Sequence, residues 1–322
     1  MQSISLAFVT SAYNESQNLE ELYDRLYASF ASLRDEFALT INLKFRFVIA
    51  DNCSQDESLR VLELLASNHQ GVTVLINRAN YGPEASAANA LRHSPSSDLY
   101  VLLCSDLQDP PELAVDMVRS LLTCQDLDAV FAVKSRSTGS LLTRLARCSY
   151  YKALDYTTRL QPVPTGFHGY GCYRRDVIDD ALRYWDITDF NLRQCLANAS
   201  QSTVHIQYAQ AARKHGKSSY RRGGYWLEAS RSLFSADAAG SRVALFISIC
   251  GFILAILLGV LLLANYLSGT SGYGRGIPTI MGLILIGFAL QLLMISILSR
   301  QVESLRIGGI RSKVRFYEIP TS

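Results

Sequence analysis

Paired cysteines are missing from this 322-residue chain: its seven, at 53, 104, 124, 148, 172, 195 and 250, form no CxxC and are odd in number. That pattern points away from a disulfide framework or a zinc site and toward reduced thiols in cytosol. Net charge is equally scarce, at +3, so nothing in the balance indicates nucleic acid as a partner. The N-terminal MQSISLAFVTSAYNES lacks the basic start and the long apolar stretch of a signal peptide. No internal repeat and no low-complexity tract interrupts the chain.

Charge is also absent, locally, from two runs near the C-terminus. Val243 to Leu267 and Ile277 to Leu298, 25 and 22 residues long, contain no Asp, Glu, Lys or Arg. A helix needs about 20 such residues to cross a hydrocarbon core roughly 30 Å thick. The nine residues from Ser268 to Gly276 are too few to hold a domain, so the runs predict an antiparallel transmembrane hairpin. Arg221, Arg222, Arg231 and Arg242 precede the pair and Arg300, Arg306, Arg311, Lys313 and Arg315 follow it, against Arg275 alone between. The positive-inside rule then puts both termini and the large N-terminal part in the cytoplasm, on the inner (plasma) membrane. Four regions are expected: 1–220, a cytoplasmic catalytic domain; 221–242, a juxtamembrane segment; 243–298, two membrane helices; and 299–322, a cytoplasmic tail. Within 221–242, Tyr225, Trp226, Leu227, Leu233 and Phe234 alternate with Glu228, Arg231 and Ser235, which suits either an interfacial helix or core packing.

The first 220 residues alternate between strand and helix. Ile4 to Thr10 reads as a strand, and from Glu15 onward Leu19, Leu22, Leu26 and Phe30 follow helical spacing. Phe45 to Ala50, Val72 to Ile76 and Leu99 to Cys104 are further strands; Leu59, Leu62 and Leu65, then Glu84 to Leu91 and Pro111 to Leu122, supply helices. The expected fold is α/β, a doubly wound, mostly parallel sheet with helices on both faces. Ligands bind such sheets beyond the carboxyl ends of the strands. There the chain places Tyr13-Asn14-Glu15, Asp51-Asn52, Asn80-Tyr81-Gly82 and Ser105-Asp106-Leu107-Gln108-Asp109.

AYNES, ADNCSQDES, NRANYGPEASAANAL, SDLQDPPEL, RKHGKSSY and the paired apolar runs occur in an order that resembles family 2 glycosyltransferases of the GT-A fold. The branch is that of dolichyl-phosphate mannose synthase and the bacterial polyisoprenyl-phosphate glycosyltransferases. The resemblance implies a nucleotide-sugar donor, an Mg²⁺ or Mn²⁺ cofactor held through hard oxygen ligands, and a nucleoside diphosphate product. It assigns Asp106 and the amide oxygen of Gln108 to the metal and Asp51 to the base and ribose. Tyr13, Asn14, Glu15, Asn80, Arg213 and Ser218 fall on the donor side. Arg136, Lys214 and Lys217 are candidate clamps for the acceptor phosphate. Asn14 and Glu15 also suit a helix cap, and for Asp109, ahead of Pro110 and Pro111, the N-cap of the helix that follows is a reading at least as good as a place in the site.

Two positions depart from that pattern. Cys104 stands where relatives have the first acidic residue of an Asp-x-Asp pair, and a thiol is a poor ligand for a hard cation. Gly169 stands where they place an acceptor base; His168 beside it is a candidate catalytic substitute, and an unassisted phosphate nucleophile is the other option. A phosphomonoester has a second pKa of about 6, so this acceptor needs little help from a base. The resemblance and the predicted anchor together imply an inverting enzyme that moves one sugar to polyprenyl phosphate, undecaprenyl phosphate in a bacterium, and works as a homo-oligomer. A degenerate sugar-nucleotide-binding subunit and a polysaccharide synthase component are the alternatives.

Overall fold

The computed structural model describes residues 2–135, 163–164, 166–187, 191–211 and 214, parts of 249–268 and 280–298, and 316–318. Eight strands form one sheet: β1 (Gln2–Ala12), β2 (Ile41–Asp51), β3 (Val72–Asn77), β4 (Leu99–Leu102), β5 (Ala129–Lys134), β6 (Phe167–Arg174), β7 (Thr203–Tyr208) and β8 (Phe316–Glu318). Their spatial order is β7-β5-β6-β4-β1-β2-β3-β8. Among the described residues of the domain, the sheet is accompanied by α1 (Leu19–Glu36), α2 (Ser58–Asn68), α3 (Pro83–His93), α4 (Leu113–Thr123), α5 (Arg175–Ile187) and α6 (Leu192–Ala199).

Strand periodicity explains the two-sided packing. Successive side chains point to opposite faces, so Leu6 and Phe8 of β1 join Phe47 and Ile49 of β2 in one apolar cluster, under Leu22 and Leu26 of α1, Leu62 of α2 and Met117 of α4. Ala7, Val9, Val48 and Ala50, one residue out of phase, join Leu91 of α3, Ile178 of α5 and Leu196 of α6 on the other face. Leu6 through Val9 are all completely buried, as a strand covered on both sides requires. Helix α1 places Leu19, Leu22, Leu26 and Leu33 on its buried side, and its charges complement the macrodipole, Glu20 and Glu21 in the first turn and Arg34 in the last.

The sheet is mostly parallel, as the alternation predicts, with two antiparallel exceptions. Strand β1 pairs in parallel with β2 and β4, and β2 with β3, but β6 runs antiparallel to both β4 and β5, and β8 antiparallel to β3. Both exceptions are strands outside the predicted βαβ succession. Element boundaries also move. Asn14 takes φ 56 and the chain turns at Glu15 before α1 begins at Leu19, four residues later than the periodicity suggests. Strand β4 stops at Leu102, leaving Cys104 in the loop, and α4 starts at Leu113, beyond both prolines.

Because the order reverses at β1, the crevice between the carboxyl ends of β1 and β4 is the topological switch point of the sheet. Ser105 closes its base by donating its hydroxyl to the Ser11 carbonyl at 2.9 Å. Among the described residues no helix is long and apolar enough to cross a membrane. The described parts of 249–268 and 280–298 are nevertheless helical, apart from a turn at Ser268, and expose Ile253, Leu257, Leu261, Ile284, Phe288 and Ile295, among other apolar side chains.

Candidate active site

Three loops at the ends of β1, β2 and β3 are laced together by short side chains. Ala12 and Asp51, the last residues of β1 and β2, stand in register. Asn14 donates its backbone N–H to Ser54 Oγ at 3.0 Å and accepts the Gln55 N–H on Oδ1 at 2.7 Å. The left-handed conformation of Asn14, tolerable for asparagine, is what turns the chain for this exchange. Asn52 carries the lacing onward: its amide donates to Asn80 Oδ1 at 2.9 Å, and its own Oδ1 accepts the Tyr81 N–H, also at 2.9 Å. Behind it Asn77 donates to Ser86 Oγ at 2.8 Å and accepts from Asn89 at 2.9 Å, which ties α3 to the loop. The result is a stiff polar rim. Tyr13 lies half-buried on it, and Glu15 is buried with its carboxylate accepting from Asn18 at 2.5 Å. Glu15 therefore braces the turn before α1, whose first cap position is Asn18, not Asn14 or Glu15.

Asp51 is 1% exposed. Its Oδ2 accepts the Ser54 N–H at 3.0 Å, whereas Oδ1 is buried with no hydrogen-bond partner. An unsatisfied buried acceptor costs on the order of 1–3 kcal/mol, and such groups are rare enough to need a reason. A ligand that brings a donor to this strand end supplies one.

Asp106 sits on the loop after β4, half-buried, its Oδ1 accepting the Gln108 N–H at 3.2 Å across Leu107, which has φ 58. The Gln108 carbonyl accepts the Ala211 N–H at 3.0 Å, and its side-chain amide donates to the Ala211 carbonyl at 3.4 Å, so the segment after β7 closes against this loop. Lys214, three residues on, reaches Glu21 of α1 at 2.6 Å and holds that carboxyl below its usual range. Arg136, Arg213, Lys217 and Ser218 lie outside the described residues.

Asp109 does not take the helix-cap role, one of its two readings from sequence. The cap position of α4 is Glu112, and Asp109 is completely buried beneath the loop. His168 Nε2 of β6 lies 2.9 Å from its Oδ2, and Tyr208 of β7 donates its hydroxyl to Oδ1 at 2.6 Å. Burial pushes this carboxyl up, but the His168 hydrogen bond and charge, the Tyr208 hydroxyl and the charge of Lys134 outweigh it and leave Asp109 below its ordinary value. An ionised carboxylate accepts only, so Nε2 of His168 carries a proton. The other ring nitrogen, Nδ1, is buried and without a hydrogen-bond partner. Tyr208 responds in the opposite sense: burial, then the Asp109 charge, raise its phenol far above the normal range.

Cys104 borders the same group. It has solvent-exposed surface, yet protein packs closely around its sulfur; that surround, then the charges of Asp109 and Asp106, push the thiol well above its usual pKa. The sulfur, the Asp109 carboxylate and the His168 ring lie within 4.8 Å of one another, a set of atoms able to hold a metal ion.

Gly169 explains its own departure. It has φ 107, a conformation that side-chain-bearing residues rarely adopt, although a Cβ would meet nothing closer than Leu102 at 3.9 Å. Gly169→Asp is therefore expected to lower stability by about 1–3 kcal/mol through backbone strain and to leave turnover unimproved. Urea unfolding and initial rates check both halves.

A mixed α/β sheet with amides and carboxylates gathered at its switch point is the framework of a protein that binds a polar ligand beyond its strand ends. The chain belongs to glycosyl transferase family 2, whose model matches residues 7–182, from the centre of β1 into α5. A protein of Pseudomonas aeruginosa (strain LESB58) described as undecaprenyl-phosphate 4-deoxy-4-formamido-L-arabinose transferase is 26% identical over 97% of this chain and 88% of its own length. One of the same description from Proteus mirabilis (strain HI4320) is 27% identical over 97% of this chain and 92% of its own. Among solved structures, S. aureus TarS 1-349 is more distant, with a TM-score of 0.40 and 15% identity over 65% of this chain and 59% of that one.

Proposed function

We propose that this chain is a GT-A glycosyltransferase that moves one sugar from a nucleotide donor to undecaprenyl phosphate, inverts the anomeric centre and releases a nucleoside diphosphate. The observation that carries the reading is the rim of Asn14, Asp51 and Asn80 beside Asp106 at the switch point, with a buried Asp51 oxygen that lacks a donor. The base or ribose of a nucleotide supplies that donor. The likeness to undecaprenyl-phosphate transferases along nearly the whole chain supports the lipid acceptor.

The donor set suits a hard cation sparingly. Asp106 offers a carboxylate and Gln108 an amide oxygen, while Cys104 contributes no hard oxygen at the third position. Mg²⁺ commonly binds through one or two carboxylates and completes its shell with water and substrate phosphate, so Asp106 and Gln108 would hold it against the diphosphate. Bound there, the ion would neutralise charge growing on the leaving group. The protein's part is to fix the nucleotide on the rim and aim the anomeric carbon at the acceptor.

A proton acceptor is dispensable in this reading, and His168 is poorly placed to be one. Its Nε2 faces Asp109 and its Nδ1 is enclosed. His168→Gln, which keeps an N–H for Asp109, should change turnover by only a few-fold, with the rate following acceptor ionisation near pH 6, the approximate second pKa of a phosphomonoester. A loss of roughly 10²-fold or more, relieved at high pH, would make His168 the general base.

The membrane hairpin belongs to the same proposal. Strand β8 lies beyond both apolar runs and pairs with β3 of the domain that precedes them, which supports a chain that leaves and returns on one side. Lipid phosphate at the cytoplasmic face is then within reach of the site, with donor and enzyme in the cytoplasm and the hairpin in the inner membrane. Membranes carrying the full chain, given undecaprenyl phosphate and radiolabelled nucleotide sugars, should transfer label into organic-extractable lipid. Label in polymer would indicate a synthase component, and no label from any donor a binding subunit.

A further inference from the structure

We propose that Cys104, Asp109 and His168 form a second cation site, suited to a thiophilic divalent ion of the Zn²⁺ class and separate from the oxygen site at Asp106. The inference does not rest on the transfer reading. It begins from geometry: one sulfur, one imidazole nitrogen and one carboxylate oxygen, drawn from the loop after β4 and from β6, lie within 4.8 Å of one another. Three protein ligands with a water in the fourth position is a ligand count that zinc accepts. Of the three, Cys104 is the one with solvent-exposed surface.

The separations suit such an ion. Two N or O ligands about 2.0–2.1 Å from a tetrahedral ion sit roughly 3.3 Å apart, and His168 Nε2 already stands 2.9 Å from Asp109 Oδ2. Sulfur, at about 2.3 Å from the ion, has to close in by on the order of 1 Å, within the reach of a side-chain torsion in a loop residue. Tyr208 meanwhile keeps Asp109 Oδ1 at 2.6 Å, the kind of outer partner that orients a ligating carboxylate. Coordination at Nε2 moves the ring proton to Nδ1, and Cys104 releases its thiol proton to solvent. No oxidation state changes.

Ligand chemistry separates this site from the first. Mg²⁺ and Mn²⁺ prefer carboxylate, amide and water oxygens, whereas thiolate and imidazole favour Zn²⁺ and Co²⁺. Cysteine spacing gives no hint of it, because the three ligands are not adjacent in sequence and only one is a cysteine.

Co²⁺ titration of the purified full chain tests the proposal, since a thiolate bound to tetrahedral Co²⁺ gives a near-ultraviolet charge-transfer band. One equivalent should produce the band, Zn²⁺ should displace it and Mg²⁺ should not. Cys104→Ser should abolish it, and His168→Gln should weaken binding at least as much as loss of an outer-shell partner does, roughly 10–100-fold. Absence of the band, or its survival in Cys104→Ser, overturns the site. Should Cys104→Ser fail to fold, the Zn²⁺-induced rise in melting temperature decides: present in the wild-type chain and lost in His168→Gln supports the site, equal in both refutes it.

Discussion

Asp106→Asn is expected to remove most of the sugar transfer and to leave the fold as it is. The side chain is half-buried at a loop, and the oxygen that accepts the Gln108 N–H survives as the amide Oδ1, so the turn through Leu107 persists. Lost is a charged oxygen for the cation. Metal stabilisation of a leaving diphosphate is worth several kcal/mol, and each 1.36 kcal/mol is tenfold in rate. A fall in kcat of about 10²–10³-fold follows from those two magnitudes. Initial rates of lipid labelling over a Mn²⁺ series, beside circular dichroism and thermal melting of the same preparation, measure it. Saturating Mn²⁺ should recover little of the rate. A variant with full activity would exclude Asp106 as the metal residue and would move the donor site elsewhere on the rim.

Asp106 could be read from sequence because its signal is local. A buried apolar run followed at once by Ser-Asp-Leu-Gln puts a carboxylate at a strand end, and the same logic locates Asp51 after Phe45 to Ala50. Strand periodicity in β1 and β2 likewise assigns Leu6, Phe8, Phe47 and Ile49 to one face and Ala7, Val9, Val48 and Ala50 to the other, as observed. Asp109 lies three residues from Asp106 and was not legible in the same way. Two prolines after it make a helix cap the economical local reading, whereas its partners His168 and Tyr208 are 59 and 99 residues away. Nothing in the local pattern encodes that meeting, because it depends on β6 entering the sheet antiparallel between β4 and β5. Gly169 is similar: its identity reads as a lost base until the backbone angle shows that the strand itself demands glycine.

That buried carboxylate should be the most sensitive single side chain in the site region. Asp109→Ala leaves the His168 N–H and the Tyr208 hydroxyl without their acceptor, in a place where neither can turn fully to water. Removing one member of a buried charged, hydrogen-bonded group costs about 3–5 kcal/mol. For a domain of this size that is roughly a 6–20 °C fall in Tm, at about 2–4 °C per kcal/mol. Asp109→Asn should lose nearly as much, because the amide presents two donors to neighbours that are themselves donors. The pH dependence identifies the cause. Asp109 has a folded pKa below the unfolded value of about 3.9, so its contribution is complete above pH 4 and disappears as pH falls through the depressed folded pKa. The gap in Tm between wild type and Asp109→Asn should therefore be constant from pH 8 to pH 5 and should narrow only in stronger acid. A gap that instead widened as pH fell from 7 to 6 would mean that the interaction depends on a histidine charge rather than on the carboxylate alone, and a gap worth less than about 1 kcal/mol in stability, the size of a surface pair, would mean that Asp109 does not hold β6 and β7 to the loop at all.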